Sequence, residues 1–327
     1  MIARLFGPVD FYGRPRPVLA LHCYIIQAGA FAVAAYLFLS WDFSSLALLP
    51  PDAFTRAARP LLFSYWRTPW FYYTTFQFIY DFVPSPSVQM LHLLQMVTLG
   101  ALFSGLLGIW PRAAAWIALL TGSHLVGRFL LAGDTMDAST TVMLFMLLLV
   151  AIFPTRGYYR LGQKVEPLAL SETFHAPVFL LLLYMDAYYF YSGLNKITDW
   201  GFGWFLDARL DLFSIAAIEQ SLFVSTWSTA LWLSSLLSNA TLATVVAFLV
   251  FILELCAPIA LFLPRLSPFF LMFFAAMHLS IYLSHSYGYW TNTAADFMLL
   301  PYTLIVAWLM GLRPGKPGGD KPAADAS

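Results

Sequence analysis

The sequence predicts an all-α integral membrane protein: a polytopic bundle of about eight transmembrane helices, with nine as the alternative, plus amphipathic helices at the membrane surface. Three observations lead to this fold class. Of the 327 residues, 60% are hydrophobic and only 10% are charged, whereas soluble domains carry about 25% charged residues. Eight apolar runs approach the roughly 20 helical residues needed to cross a hydrocarbon layer about 30 Å thick. The lysines and arginines are unevenly divided between the two sides that these runs would create.

The eight runs cover residues 18–39, 88–110, 113–132, 139–153, 176–194, 241–263, 268–285 and 294–312. The first exceeds the 7 to 15 apolar residues of a signal peptide, so we interpret it as a retained helix, although small residues near its end would also suit a cleavage site. The fourth is short, and we expect it either to begin earlier, near Met136, or to be buried by its neighbours. On the second, Gly100, Ser104 and Gly108 recur at every fourth position, which predicts a face for close helix packing.

Two segments interrupt the series. Residues 42–86 combine arginines, prolines and a dense aromatic run, which indicates interfacial or re-entrant structure. Residues 200–240 mix charged residues with apolar ones at helical spacing; we interpret this segment as one or two amphipathic surface helices, with a ninth span as the alternative. The chain then divides into a cytoplasmic segment (1–17), a transmembrane domain (18–312) and a Pro- and Gly-rich tail (313–327) that we expect to be disordered.

The basic residues predict that both termini lie in the cytoplasm. With eight spans, eleven lysines and arginines fall inside and five outside, and a ninth span would turn Arg265 and the basic tail outward. In a bacterium this places the protein in the inner membrane, with the lipid bilayer as its partner. Seventeen basic residues balance seventeen acidic ones, so the composition provides no basic field for nucleic acid, which we do not expect as a partner.

The familiar catalytic motifs do not explain the polar residues. The sequence contains no H-E-x-x-H, C-x-x-C or G-x-S-x-G pattern and no phosphate-binding glycine loop. Cys23 and Cys256 both lie in apolar runs, where cysteine commonly serves as a small buried hydrophobe. We therefore expect neither a metal nor a disulfide framework.

Lys196 is the centre of the candidate site. It follows the apolar run 176–194 at the expected outer membrane edge. Asp186, Tyr189 and Gly193 lie with it within an arc of about 80° at 100° per helical residue, so all four could line one cavity. Ionisable groups cost on the order of 3 kcal/mol at the bilayer centre, and such residues are therefore functional candidates by default.

Further polar side chains come from three other apolar segments. They are His124 and Arg128 on run 113–132, with Asp134 in the loop that follows, Glu254 on run 241–263, and His278 and Tyr282 on run 268–285, which ends at His285. Together they predict a polar cavity open to the outer side. A desolvated Lys196 could act there as a general base, assisted by His124 and His278, while the other side chains orient the substrate.

Each of these residues also has a purely structural interpretation. Arg128 could pair with Asp134 and close the outer end of two helices. His278 could be a core histidine bonded to a backbone carbonyl, and Glu254 could cap a helix kink near Pro258. Lys196 could extend to the lipid headgroups, as lysines near helix ends often do.

Several stretches resemble the horizontally transferred transmembrane (HTTM) domain family, which includes the vitamin K-dependent gamma-carboxylases. They are SGLNKITDW (192–200), FILELCAPIALFLPRL (251–266), MHLSIYLSHSYGYW (277–290) and, as in bacterial members, SHLVGRFLLAGDTM (123–136). The resemblance covers residues 18–312. In the carboxylases the lysine of the G-x-x-K pattern is the proposed base that deprotonates vitamin K hydroquinone on the lumenal side. The resemblance therefore implies that Lys196 is a base that acts on a reduced quinone or another lipophilic substrate.

This sequence departs from the carboxylase pattern at one place. An Asn-Asn-His pattern supplies the assisting histidine in the carboxylases, and Gly133-Asp134-Thr135 occupies that place here. His124 is the candidate replacement, and carboxylation of a protein substrate is not implied. Two hypotheses result: a membrane enzyme, with a membrane-bound or soluble redox protein as candidate partner, or a non-enzymatic protein whose cavity binds a lipid, a quinone or a partner subunit.

Overall fold

The computed structural model describes residues 19–41, 43–48, 87–132, 139–153, 159–162, 175–206, 238–263, 265–285 and 290–311. Within these residues, every secondary-structure element of several residues is a helix, which confirms the all-α class. The long helices are α1 (Ala20–Ser40), α2 (Val88–Leu106), α3 (Pro111–Ala132), α4 (Ser139–Ile152), α5 (His175–Trp200), α6 (Ala240–Cys256), α7 (Ser267–His285) and α8 (Trp290–Gly311). Each of them overlaps one predicted apolar run. Short helices cover Phe43–Leu48, Gly203–Leu206 and Ile259–Phe262.

Three helix boundaries differ from the predicted runs for physical reasons. Helix α5 continues to Trp200, so Lys196 lies within the helix and does not mark its end. Helix α6 stops at Cys256, and Pro258 separates it from the short helix Ile259–Phe262, because proline lacks the backbone donor that helix propagation needs. Helix α2 ends at Leu106, where Gly108 adopts a positive φ of 75°.

Helix α1 lies at the centre of the packing and contacts α2, α4, α5 and α8. Its Phe31 and Phe38 side chains are fully buried. A Cβ atom added at Gly105 of α2 would lie 2.2 Å from the Phe31 ring, so this glycine permits the close approach of α1 and α2. In the described part of the chain, a Cβ at Gly100 would meet no atom within 4 Å, whereas one at Gly108 would lie 2.7 Å from the Tyr159 ring. The predicted close packing is therefore not found at Gly100, and Gly105 is the position where α1 approaches α2.

The short helix α4 is buried, one of the two alternatives expected for it. Val142, Met143, Met146 and Leu147 each have no exposed surface. Met136, the other expected starting point, lies outside the described residues. So do the N-terminal segment 1–17, the segment 49–86, residues 207–237 with the question of a ninth span, and the tail 313–327.

Within the described ranges, two helices, α1 and α2, are long and apolar enough by length and composition to cross a membrane. Three shorter apolar helical segments, Thr141–Ile152, Ala240–Cys256 and Ser267–Ile281, fall below that length. The helix pairs that matter for the candidate site are α5 with α6 and α7 with α8, and α8 also contacts α5. This arrangement surrounds the polar face of α5 with three helices.

Candidate functional site

Helix α5 directs its polar residues toward neighbouring helices. Asp186 and Tyr189 are each 1% exposed, and the Lys196 side chain is 16% exposed. Gly193, between them on the same face, is buried. The shared face is therefore the one that their spacing predicts, and the Lys196 side chain is turned into the protein.

Lys196 forms an ion pair with Glu254 of α6. Its Nζ donates a hydrogen bond to Glu254 Oε2 and another, at 3.0 Å, to Ser192 Oγ one turn earlier on α5. Ser192 Oγ in turn donates to Glu254 Oε1 at 3.2 Å. The three side chains thus close a ring of hydrogen bonds between two helices. The Trp204 ring lies 4.8 Å from Nζ and adds a cation–π contact.

The ion pair is mostly shielded from solvent. The exposed fraction of the Glu254 side chain is 3%, against 16% for Lys196. Removing one member of a buried pair strands a charge and typically destabilises a protein by about 3–5 kcal/mol. Two of the structural interpretations therefore do not apply. The Lys196 side chain points to Glu254 and not toward lipid headgroups. Glu254 does not cap the kink near Pro258, because both of its carboxylate oxygens accept hydrogen bonds from side chains on α5.

Gly193 allows this close contact between α5 and α6. A Cβ atom at this position would lie 3.1 Å from the Leu255 backbone nitrogen and 3.2 Å from Glu254 Cβ. Such distances are tighter than ordinary van der Waals contact, and one of the two atoms belongs to the α6 backbone. The glycine of the G-x-x-K pattern therefore places Lys196 within reach of its carboxylate.

A second polar group lies deeper, where α5, α7 and α8 meet. Tyr189 Oη donates to Asp296 Oδ2 at 2.7 Å and lies 3.4 Å from His278 Nδ1. His278 Nδ1 is 3.6 Å from the same Asp296 oxygen. The Tyr189 ring stacks on Phe274 with a centroid distance of 3.6 Å. All of these side chains are buried.

The two groups lie one after the other along the polar face of α5, and together they are called the polar network below. Electrostatic interactions act between Glu254 and His278 and between Asp186 and Asp296. The network extends from Lys196 to Asp186, ten residues or about 15 Å along α5. It links four helices through side chains that are otherwise surrounded by apolar residues.

Some polar atoms of this network, and one atom of Asn292, which precedes Asp296 by one turn of α8, have unused hydrogen-bonding capacity. Among the described residues, Asp186 Oδ2, Asp296 Oδ1 and Asn292 Nδ2 are buried and lack a hydrogen-bond partner. An unsatisfied buried group costs about 1–3 kcal/mol. Two of these atoms are carboxyl oxygens, which can accept further hydrogen bonds.

The structure brings together five of the predicted site residues: Lys196, Asp186, Tyr189, Glu254 and His278. His124 is half-buried on α3, a helix that packs mainly against α2 and α4. In the part of the chain that is described, the side-chain contacts of Lys196 are to α5, α6 and the short helix Gly203–Leu206. No observed contact therefore supports the prediction that His124 acts beside Lys196.

Three further predicted residues fall outside what the structure describes. Arg128 and Tyr282 lie in helices α3 and α7, but their side chains are not described, and Asp134 lies in the undescribed segment 133–138. Among the described residues, no group of three His, Cys, Asp or Glu side chains is arranged to hold a metal ion.

Asp296, Ser192 and Trp204 were missed in the sequence analysis. Asp296 is an acidic residue within the apolar run 294–312, so the rule that singled out Lys196 would have found it. Ser192 precedes Lys196 by one helical turn, the spacing at which side chains meet. Trp204 carries no comparable signal, because its contact with Lys196 depends on the turn after α5.

No protein-family model, curated protein or solved structure matches the chain.

Proposed function

We propose that the protein is a multi-pass membrane protein of eight spans and that the Lys196–Glu254 pair accepts a proton from a lipophilic hydroxyl compound such as a reduced quinone. The observation that carries this proposal is the shielded ion pair between α5 and α6, which Ser192 bridges. Tyr189, His278 and Asp296 form a second buried polar group on the same side of α5. Ionisable groups in such apolar surroundings are expensive, and proteins retain them mainly at functional sites.

The outer surface of the helices supports the membrane assignment. Large apolar side chains are strongly exposed on α1, α2 and α3, among them Leu39 (61%), Met96 (68%) and Leu120 (66%). Contiguous exposed apolar surface is unusual on soluble monomers, whereas a bilayer covers it without cost. The charge distribution supports two cytoplasmic termini, which means the inner membrane in a bacterium.

The ion pair suggests how the proton moves. The resemblance to the HTTM family implies that Lys196 is the base, and the Glu254 carboxylate that its Nζ contacts is the second proton acceptor of the pair. The pair then accepts a proton as a unit: the substrate O–H bond breaks, its electron pair stays on oxygen, and the proton passes to the Glu254 carboxylate. The Lys196 ammonium stabilises the oxyanion that forms. Tyr189, His278 and the two aspartates would orient the substrate hydroxyls.

Quinol consumption by purified protein in lipid nanodiscs tests the proposal. With a reduced quinone, oxygen and carbonate supplied, Glu254→Gln should lower the rate at least 100-fold, the usual contribution of a positioned base. Lys196→Arg keeps the positive charge and should retain more activity than Lys196→Ala. Tyr184→Phe removes a hydrogen bond to Thr141 outside the network and serves as the matched control. Wild-type rates in both Lys196→Ala and Glu254→Gln would refute the proposal.

A second candidate function is non-enzymatic binding of a lipid, a quinone or a partner subunit beside the same polar network. The mutual pairing of the interior charges favours it, since Lys196 is neutralised by Glu254 and His278 lies beside Asp296. In this case a ligand should remain bound through detergent extraction without being consumed. Asp296→Asn should then lower the amount of retained ligand. Neither the wild type nor this variant should consume quinol.

A further inference from the structure

The turn between α2 and α3 has a strained backbone. Trp110 adopts φ 44°, a left-handed conformation that L-residues other than Asn and Asp rarely adopt. Leu161 N donates to Gly108 O at 3.1 Å, so the turn is tied to a distant part of the chain. The result is a Trp110 side chain that is 82% exposed. Strain of this kind persists where the surroundings enforce it and often marks a functional position.

A cavity of about 570 Å³ opens beside this turn, between residues 108–113 and the pair Arg160 and Leu161. Two arginines line it. Arg112 Nε donates to Ala151 O at 3.3 Å, which anchors the guanidinium, while Arg160 is exposed. Among the described residues, neither arginine pairs with an acidic side chain, and no acidic residue lines the cavity. As far as the described residues line it, the cavity carries two positive charges and no negative one, and so favours an anion.

An apolar groove continues from this charged cavity. It has a volume of about 260 Å³, lies between α2 and α3, and shares Ile109, Trp110 and Ala113 with the cavity. Its far end is formed by Val97 and Ile117, and Val97 lies seven residues from Ser104, or about 10 Å along α2. One end of the combined hollow is therefore cationic and the other is apolar.

We infer that the α2–α3 turn binds an anionic phospholipid, with the phosphate between Arg112 and Arg160 and an acyl chain in the groove toward Val97. Free phosphate would contact only the two arginines, whereas a phospholipid would fill both the cationic cavity and the apolar groove. Trp110 and the arginines combine the aromatic and basic residues typical of the headgroup layer. The charge distribution puts this turn on the cytoplasmic side, where anionic lipids attract basic residues. The inference rests on the proposed membrane insertion but not on the chemistry at Lys196.

Native mass spectrometry of the delipidated full-length protein, titrated with phosphatidylglycerol or phosphatidylcholine, tests the inference. Phosphatidylglycerol should bind preferentially. Each of Arg112→Gln and Arg160→Gln should weaken its binding about five-fold and the double variant about 25-fold, the equivalent of about 1 kcal/mol per arginine. The matched control is Arg265→Gln, which alters an exposed arginine before α7 that does not line the cavity and should leave binding unchanged.

A groove variant and a phosphate arm separate the lipid from a free anion. Val97→Trp narrows the groove from a position that is 40% exposed and should weaken phosphatidylglycerol binding with helicity and both arginines intact. Unchanged lipid binding in the double arginine variant would overturn the inference. A second result would also overturn it: inorganic phosphate displaces phosphatidylglycerol, and Val97→Trp does not weaken phosphatidylglycerol binding. If alkaline carbonate releases the protein from membranes, the proposed membrane insertion is refuted. If the protein stays in the membrane but shows no preference for phosphatidylglycerol, only the lipid inference is refuted.

Discussion

Lys196 and Glu254 face each other across the α5–α6 interface, and Ser192 Oγ hydrogen-bonds both of them. The pair is shielded because Gly193, on the same face of α5, lets the two helices approach. An ion pair at this depth holds two helices in register as well as supplying charged groups to a site. Its consequences can be measured separately as stability and as activity.

The charge pair should show strong coupling in unfolding measurements. Lys196→Met alone and Glu254→Gln alone should each destabilise the protein, Lys196→Met by about 3–5 kcal/mol, since it leaves a buried carboxylate without its countercharge. The combined variant should be more stable than the sum of the two effects predicts, because neither charge is stranded. Unfolding in detergent micelles, followed by far-UV circular dichroism, measures this. Purely additive effects would mean that the pair does not interact.

Gly193→Ala should destabilise the protein by about 1–3 kcal/mol, because the new methyl group overpacks the contact with the Leu255 backbone. Gly100→Ala is the matched control on α2, since its Cβ would meet no atom of the described residues within 4 Å. That variant should be neutral or stabilise the protein by up to about 1 kcal/mol through better helix propensity. Thermal unfolding in the same detergent compares the two, and equal shifts would contradict the close α5–α6 approach.

Tyr189→Phe removes the hydroxyl that donates to Asp296 Oδ2 at 2.7 Å. The buried carboxyl oxygen loses its partner, which should destabilise the protein by about 1–3 kcal/mol. Adding Asp296→Leu should then cost less than it does in wild type, because the carboxyl has already lost its donor. A double-mutant cycle on unfolding free energies gives the coupling. A coupling near zero would argue against this hydrogen bond.

The proposed topology predicts the side from which two turns can be labelled. In a background with Cys23→Ala and Cys256→Ala, Trp110→Cys should react with a membrane-impermeant maleimide only from the cytoplasmic side. Phe202→Cys should react only from the outer side. Both positions are well exposed, at 82% and 64%. The labelling of intact spheroplasts is compared with that of permeabilised ones. The proposed topology has an odd number of spans between the two positions, so labelling of both cysteines from the same side would contradict it.

Some features of the protein follow from the sequence alone. The lengths of the apolar runs predict the long helices, because a helix hidden from water must be apolar along its whole length. The 100° spacing of Asp186, Tyr189, Gly193 and Lys196 places them on one face of α5, since that geometry is local. The shared face needed no knowledge of neighbouring helices.

Only the tertiary structure decided which groups meet. The choice of Glu254 as the partner of Lys196, with no contact to His124, depends on α6 packing against α5 while α3 packs against α2 and α4. Asp296 joins Tyr189 and His278 because α8 lies beside both α5 and α7. Helix neighbours are determined by the sum of many weak packing contacts across the bundle, and no single stretch of sequence contains that sum.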